Sequence, residues 1–453
     1  MSLNVSFDFN KGTSKMKPLH GVNNSPAALR KPIQTFTDAG IPYMRTHDTM
    51  GAFGGTHYID VPNIFRDFDA DENDPANYDF AFTDAYIGNI IKSGTEIFYR
   101  LGVTIENSWD IKAYNIYPPK DFHKWARICE HIIRHYNEGW ANGYKMGIEY
   151  WQIWNEPEES EPKEGYNLKP GQRMSMMWNG SKEQYFELYD ITSRHLKKRF
   201  GDTIKIGGPS ATGCFGKTPA ADDMSYNARA YRKINSWNRD FVRFVAEKKC
   251  PFDFYSFHSY RSVKDTMTGV REVEGILKEN GLSHVEMLLD EWNSVNMSQE
   301  YGEIAQSAHY AAMLIALQVE TQVDIACFYD AGVSIIGPRV NYKGMFTPYC
   351  RPNIGYWPFK AFGFLYGLGA EVPVEFEGGK PDGVYAVAAK DDKGNVGVLL
   401  ANIGNSVRIK LEGLPEGVRA YTINDTRDME AFGFENGELH LPAHNVIFLQ
   451  KKK

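Results

Sequence analysis

The chain has 453 residues, 42% of them hydrophobic and 24% charged, a composition that buries a large core and excludes disorder as its main state. A formal net charge of −7, with no basic cluster besides Lys451-Lys452-Lys453, leaves no electrostatic footprint for nucleic acid. No run of about 18 apolar residues is present to span a bilayer, and the five scattered cysteines form no Cys-x-x-Cys pair, so neither a structural zinc nor a redox couple is expected.

Residues 1–19 lack the basic start and apolar middle of a secretory leader. With scattered cysteines suited to a reducing compartment, a cytoplasmic location is expected. Residues 3–9 alternate apolar and polar and are expected to add a strand to a sheet elsewhere in the chain, which sets 1–16 apart. From 17 to 370, eight β-rich runs (19–22, 43–45, 96–101, 150–154, 204–207, 252–257, 285–289 and 325–329) alternate with amphipathic stretches. Phe122, Trp125, Ile128, Cys129, Ile132 and Ile133 recur at steps of three and four, as do Phe241, Phe244 and Val245, the spacing of one buried helical face. Strand and helix alternating eight times predicts an α/β fold, a (β/α)8 TIM barrel over 17–370, with functional residues just after each strand run. From 371 to 453 the runs 384–389, 396–402, 406–411, 420–423 and 446–449, separated by turns such as Asp392-Lys393-Gly394-Asn395, predict a small C-terminal antiparallel β-sandwich-like domain.

Two strand ends carry acids. Tyr150-Trp151-Gln152-Ile153-Trp154-Asn155-Glu156-Pro157 ends an apolar run in a polar pair stopped by proline, which places a carboxylate at the barrel mouth. Glu286-Met287-Leu288-Leu289-Asp290-Glu291-Trp292-Asn293 supplies a second. Because neighbours on a strand face opposite sides, spacing leaves open whether Asp290 or Glu291 points inward. Paired carboxylates across a cleft are what glycosidic cleavage needs: one protonates the departing oxygen, and the other attacks the anomeric carbon or activates water. A plain acidic turn would be the alternative reading of either run.

His20-Gly21-Val22-Asn23-Asn24-Ser25-Pro26, Arg45-Thr46-His47-Asp48, Trp154-Asn155-Glu156-Pro157, Ile206-Gly207-Gly208-Pro209-Ser210, Ser256-Phe257-His258-Ser259-Tyr260 and Asp290-Glu291-Trp292-Asn293 occur in order over the whole barrel span. This set resembles clan A glycoside hydrolases and, within them, family 39, which contains β-xylosidases and α-L-iduronidases. The resemblance implies Glu156 as acid/base, Glu291 as nucleophile of a retaining double displacement, and Asn155 on the sugar 2-hydroxyl. It also implies that His258 and Tyr260 position the nucleophile, with the Tyr260 hydroxyl donating to it, and that His47 and Asp48 bind sugar. A structural salt bridge to Arg45 is the alternative for that last pair. Tyr329, at the end of the last strand run, joins the substrate-binding candidates. Arg339, Lys343 and Arg351, with Arg261, either hold a uronate carboxylate or are solvated loop charges.

Two motifs are set aside. His131 and His135 are four apart on an expected helix but lack a third ligand or the glutamate of a zinc protease. Gly207-Gly208 lacks the Lys and Ser/Thr of a phosphate loop and reads as a tight strand end. The expected activity is a retaining exo- or short-oligosaccharide glycosidase without metal or cofactor. A β-xyloside or related plant-derived glycoside is the favoured substrate, and an α-L-uronide or another glycoside the alternative. A catalytically silent carbohydrate-binding protein is the rival from another class, and transglycosylation would need no different residues. The resemblance also carries the expectation of a homo-oligomer.

Overall fold

Runs of β-branched and aromatic residues too short to bury themselves alone must pair. In the computed structural model they do so by closing a barrel. Residues 2–24, 34–47, 58–105, 114–158, 177–213, 215, 219–294, 304–331, 335–336, 339–340, 345–346, 351–424, 427–434 and 437–452 are described. After β1 (Ser2–Phe7), the strands β2 (Gly21–Asn23), β3 (Tyr43–Thr46), β4 (Glu96–Leu101), β5 (Tyr150–Ile153), β6 (Lys205–Ala211), β7 (Phe254–Tyr260), β8 (Glu286–Asn293) and β9 (Ile325–Phe328) form the closed barrel. Neighbours are parallel throughout, and β9 returns to β2 with Cys327 opposite Gly21.

Parallel neighbours require crossovers. These carry α1 (Gln34–Asp38), α2 (Val61–Ile64), α3 (Ala81–Lys92), α4 (Phe122–Asn137), α5 (Lys182–Phe200), α6 (Tyr226–Lys248), α7 (Val263–Glu279) and α8 (Ile304–Glu320), and α9 (Tyr356–Leu368) follows the last barrel strand. Their starts follow from capping chemistry: the Asp121 side chain accepts from the Lys124 amide ahead of α4, and Ser181 with Gln184 forms a reciprocal box ahead of α5. On α4 the expected stripe Trp125, Ile128, Cys129, Ile132 and Ile133 is buried. Of the two histidines set aside there, His131 Nδ1 meets the Arg127 carbonyl oxygen, and His135 meets Asp84 and the Trp140 carbonyl oxygen. Among the described residues, no helix is long and apolar enough to cross a membrane.

The barrel interior is layered by the two-residue period of its strands. Phe98, Tyr150, Phe254, Leu288, Ile325 and Cys327 form an apolar plug. Two residues further along their strands, Tyr43, Tyr150, Phe254 and Leu288 give way to Arg45, Gln152, Ser256 and Asp290, all buried. The apolar floor therefore carries a polar layer facing the C-terminal mouth.

Three strands outrun the ends expected from sequence. β6, β7 and β8 continue past 207, 257 and 289 because their parallel pairing resumes after register shifts between Pro209 and Ala211, Phe257 and His258, and Leu289 and Trp292. His258, Tyr260, Asp290 and Glu291 accordingly sit within strands rather than after them.

Beyond the small hairpin of β10 (Ile335–Ile336) and β11 (Arg339–Val340), the chain after α9 builds two facing sheets. Strands β12 (Ala370–Val372), β14 (Val384–Lys390), β15 (Val396–Asn402), β20 (Asn445–Lys451), β17 (Arg419–Asn424) and β18 (Arg427–Phe432) form one. The other has the order β13 (Val374–Phe376), β1, β16 (Val407–Glu412), β19 (Glu438–Leu441). The opening strand pairs antiparallel with β13 but parallel with β16, one departure from a wholly antiparallel domain. Val5 and Phe7 of β1 join Val398, Leu400, Ile409, Leu411, Ile447 and Leu449 in the core between the sheets. β18 and β19 escaped the sequence reading because edge strands are rich in charged residues and carry weak β signals.

Candidate active site

The polar layer is organised by Arg45, whose side chain is wholly buried on β3. Its Nε donates to Gln152 Oε1 (2.8 Å), Nη1 to Asn23 Oδ1 (2.9 Å) and Glu291 Oε1 (2.8 Å), and Nη2 to Asn155 Oδ1 (2.6 Å) and Ser210 Oγ (2.8 Å). Asp290 Oδ2 lies 3.2 Å from the same Nε. One guanidinium thus joins β2, β3, β5, the residues after β5, β6 and β8.

Asp290 and Glu291 both meet this cation, although alternation would send one of them outward. The irregularity between Leu289 and Trp292 breaks the two-residue period and turns both carboxylates inward. Asp290 faces the layer below, accepting from Gln152 Nε2 (2.7 Å). Burial raises its pKa, but Arg45 and His258 overcome that and hold it below the ordinary range. Glu291 faces the mouth, where the Tyr260 hydroxyl donates to its Oε2 (2.6 Å) and His47 Nε2 stands 3.6 Å from its Oε1. Burial pushes Glu291 above its ordinary value, His258 and Arg45 pull it back, and repulsion from Glu156 adds to the rise.

Glu156 approaches from β5. Its backbone φ of 42° and that of Trp154 (73°) are left-handed, a conformation that residues bearing a Cβ rarely adopt. Two bonds brace the turn: Glu156 N–H donates to the Ser210 carbonyl (3.0 Å), and Trp154 Nε1 donates to the Met177 carbonyl (2.7 Å). The Glu156 side chain is 25% exposed, against 6% for Glu291. One carboxyl is open to the mouth while the other lies deep.

His258 joins the two. Its Nδ1 lies 2.7 Å from Glu156 Oε1 and 3.5 Å from Glu291 Oε2, and its Nε2 lies 2.7 Å from Ser210 Oγ. Burial alone would lower its pKa, but the charges of Glu291 and Asp290 raise it well above the ordinary histidine value, which favours the imidazolium form, whose two nitrogens both donate. Ser210 Oγ then accepts from Arg45 and His258, and its one proton is shared between Asp290 Oδ2 (2.7 Å) and Asn155 Oδ1 (2.9 Å). Glu156, His258 and Glu291 each present a donor atom within 4.8 Å of the others, a set that could hold a cation.

Of the residues singled out from sequence, Glu156, Glu291, Asn155, His47, His258 and Tyr260 converge on this cleft. Tyr329 borders it, its ring centroid 6.3 Å from that of Tyr260 and 6.5 Å from that of His47. Asp48 and Lys343 lie outside the described residues. Among the described residues, Arg45 forms its salt bridges with Asp290 and Glu291. Arg261 is committed elsewhere, donating to the Phe215 carbonyl and lying over the Tyr231 ring, and Arg351 is exposed. Sequence reasoning missed Asn23, Gln152, Ser210 and the hub role of Arg45. The available signal was a polar residue two positions after an inward aromatic, as in Tyr43-Met44-Arg45 and Tyr150-Trp151-Gln152.

A family model described as glycosyl hydrolases family 39 matches residues 27–336. The chain is 23% identical over 414 residues to a β-xylosidase of Geobacillus stearothermophilus, covering 84% of this chain and 70% of that protein. Among solved structures, a glucosidase from Croceicoccus marinus superposes with a TM-score of 0.77 at 19% identity, covering 99% of both chains. A GH39 β-xylosidase from Caulobacter crescentus gives 0.68 at 15% identity over 99% of this chain and 100% of that one.

Proposed function

This chain belongs to glycosyl hydrolase family 39 and is a glycosidase, and on that premise we propose that it cleaves β-xylosides or related short plant-derived glycosides with retention of configuration. The observation that carries the reading is the separation of the acids: a carboxyl oxygen of Glu156 and one of Glu291 lie within 4.8 Å of each other. Direct displacement by a carboxylate suits a gap of about 5 to 5.5 Å, whereas an inverting pair stands about 6.5 to 9.5 Å apart to admit water.

In the first step Glu291 attacks the anomeric carbon as Glu156 gives its proton to the departing oxygen, forming a glycosyl ester on Glu291. In the second, Glu156 takes a proton from water, which attacks the same carbon and releases the sugar and the Glu291 carboxylate. Arg45 and the Tyr260 hydroxyl hold Glu291 ionised and aimed. With its Oδ1 taken by Arg45 and shared with Ser210, Asn155 has only Nδ2 left, which donates to no described residue. That N–H is the group for the sugar 2-hydroxyl, a bond that strengthens as positive charge develops on the ring. A binding protein would gain nothing from two repelling carboxylates in one cleft, whereas catalysis uses both.

The test is a panel of aryl β-xyloside, β-glucoside, α-arabinoside and α-iduronide with wild type, Glu156→Ala and Glu291→Ala. We expect one substrate to dominate, Glu291→Ala to lose at least about a thousandfold in kcat, and azide to rescue it as a glycosyl azide of inverted configuration. Full activity of Glu291→Ala, or an inverted sugar product from wild type, would end this reading.

A further inference from the structure

Glu158 lies two residues beyond Glu156, and the two-step mechanism gives it no part. It is buried, and its partners among the described residues are neutral: Oε1 accepts from the Thr212 amide (2.8 Å) and from Asn238 Nδ2 (2.9 Å), and Oε2 from the Thr212 hydroxyl (3.0 Å). Thr212 directly follows β6. Asn238 is on α6 and in turn accepts from the Tyr255 hydroxyl of β7 (3.3 Å). A single carboxylate therefore ties the segment after β5 to β6, to α6 and, at one remove, to β7. Beside it, Gly213 packs so closely on β7 that a Cβ there would sit 1.6 Å from the His258 carbonyl oxygen. Glu156, held with φ of 42°, is the residue this assembly steadies. A left-handed conformation there costs on the order of a kilocalorie and persists only where the surroundings over-determine it.

We propose that Glu158 is a positioning residue for Glu156: its bonds to Thr212 and Asn238 fix the strained segment 155–158 on β6 and α6, keeping the Glu156 carboxyl beside His258 and within reach of Glu291. The proposal rests on Glu156 being the acid/base. A glutamine could keep the two bonds to Oε1, and its amide nitrogen could donate to the Thr212 hydroxyl, without burying a charge, so the choice of a carboxylate points to an electrostatic use as well. Burial and the Glu156 charge push Glu158 up to about 7, against the pull of its hydrogen bonds; Tyr185 on α5 and Tyr255 on β7 are the other titratable groups that share its field.

The experiment compares Glu158→Gln and Thr212→Val with wild type on two aryl glycosides of the preferred sugar, one with a phenyl and one with a dinitrophenyl leaving group. Glu156→Gln serves as reference. Loss of acid positioning should cost about tenfold in kcat/KM on the phenyl glycoside and under about threefold on the activated one. In Glu158→Gln the inflection that ionisation of Glu158 near pH 7 gives the phenyl profile should be lost, while labelling of Glu291 by a fluorosugar inactivator proceeds at the wild-type rate. Thr212→Val removes only one of the bonds and keeps the test open if the first variant folds poorly. Equal losses on both substrates, or profiles that overlay wild type, overturn the proposal. If Glu156→Gln itself shows no dependence on leaving group, it is the acid/base reading that has failed, and the reference variant reports that separately.

Discussion

A guanidinium without access to water must place its N–H groups on protein acceptors, and Arg45 does so on Asn23, Gln152, Asn155, Ser210 and Glu291. Replacing it with methionine leaves Asp290 and Glu291 buried without the guanidinium that pairs with both, a change that costs about 3 to 5 kcal/mol. Arg45→Met should therefore melt well below wild type in calorimetry and lose activity, and Arg45→Lys should restore stability only in part, because an ammonium cannot fork to five acceptors. Glu158 makes a second prediction at this scale. Its native pKa is raised from 4.5 to about 7, so between those values the native state holds a proton that the unfolded chain has lost. Its contribution to stability is then full below about 4.5 and falls as pH rises toward 7, by on the order of 3 kcal/mol in all. Melting of Glu158→Gln from pH 5 to 8 should be flatter than that of wild type; parallel curves would refute the assignment. The Asn155-Glu156 and Asp290-Glu291 acids were legible in the sequence because each closes an apolar run. Arg45 and Ser210 were not, since the Glu291 that Arg45 holds lies 246 residues away along the chain and the Asp290 that Ser210 meets lies 80 away.

At the scale of elements, the site depends on where strands β6 to β8 break register. A regular β8 would turn Asp290 and Glu291 to opposite faces, and a β7 ending at Phe257 would leave His258 and Tyr260 on a loop. The turn after β6 sits against β7 through Gly213, whose φ is +74° and whose absent side chain makes room for the His258 carbonyl. Gly213→Ala should push the end of β7 away and lower kcat by tenfold to a hundredfold, on the scale of an ångström of misplacement, with less change in KM. Gly147→Ala is the control: its φ is +69° but nothing stands within 4 Å of the added Cβ, so steady-state kinetics should match wild type while stability drops slightly. Strand existence was legible because β-rich runs alternate with amphipathic ones. The ends of β6, β7 and β8 were not, because pairing with a neighbour, rather than residue type, carries those strands onward.

Across the whole molecule, the chain's opening strand is stored in its last domain. β1 fills the gap between β13 and β16 and sends Val5 and Phe7 into the core between the two sheets, while α8 and α9 of the barrel pack on β14 and β15 of the other sheet. Val5→Asp puts an unpaired carboxylate into that core and should cost several kilocalories, visible as a lower melting temperature. The barrel mouth is built from other residues, so kcat of the folded fraction should hold. Retention of stability would mean that β1 contributes little to the domain. What the sequence determined by itself was the strand–helix alternation, the side each periodic residue faces, and the two strand ends that carry acids, because these are written in neighbours two to four residues apart. Only the tertiary structure decided that Asp290 and Glu291 both turn inward, that Arg45 joins them to Asn155 and Ser210, and that Glu156 and Glu291 come within 4.8 Å. Those distances depend on barrel closure and on breaks in strand register, and they are fixed by the packing of residues more than a hundred positions apart, which no local pattern encodes.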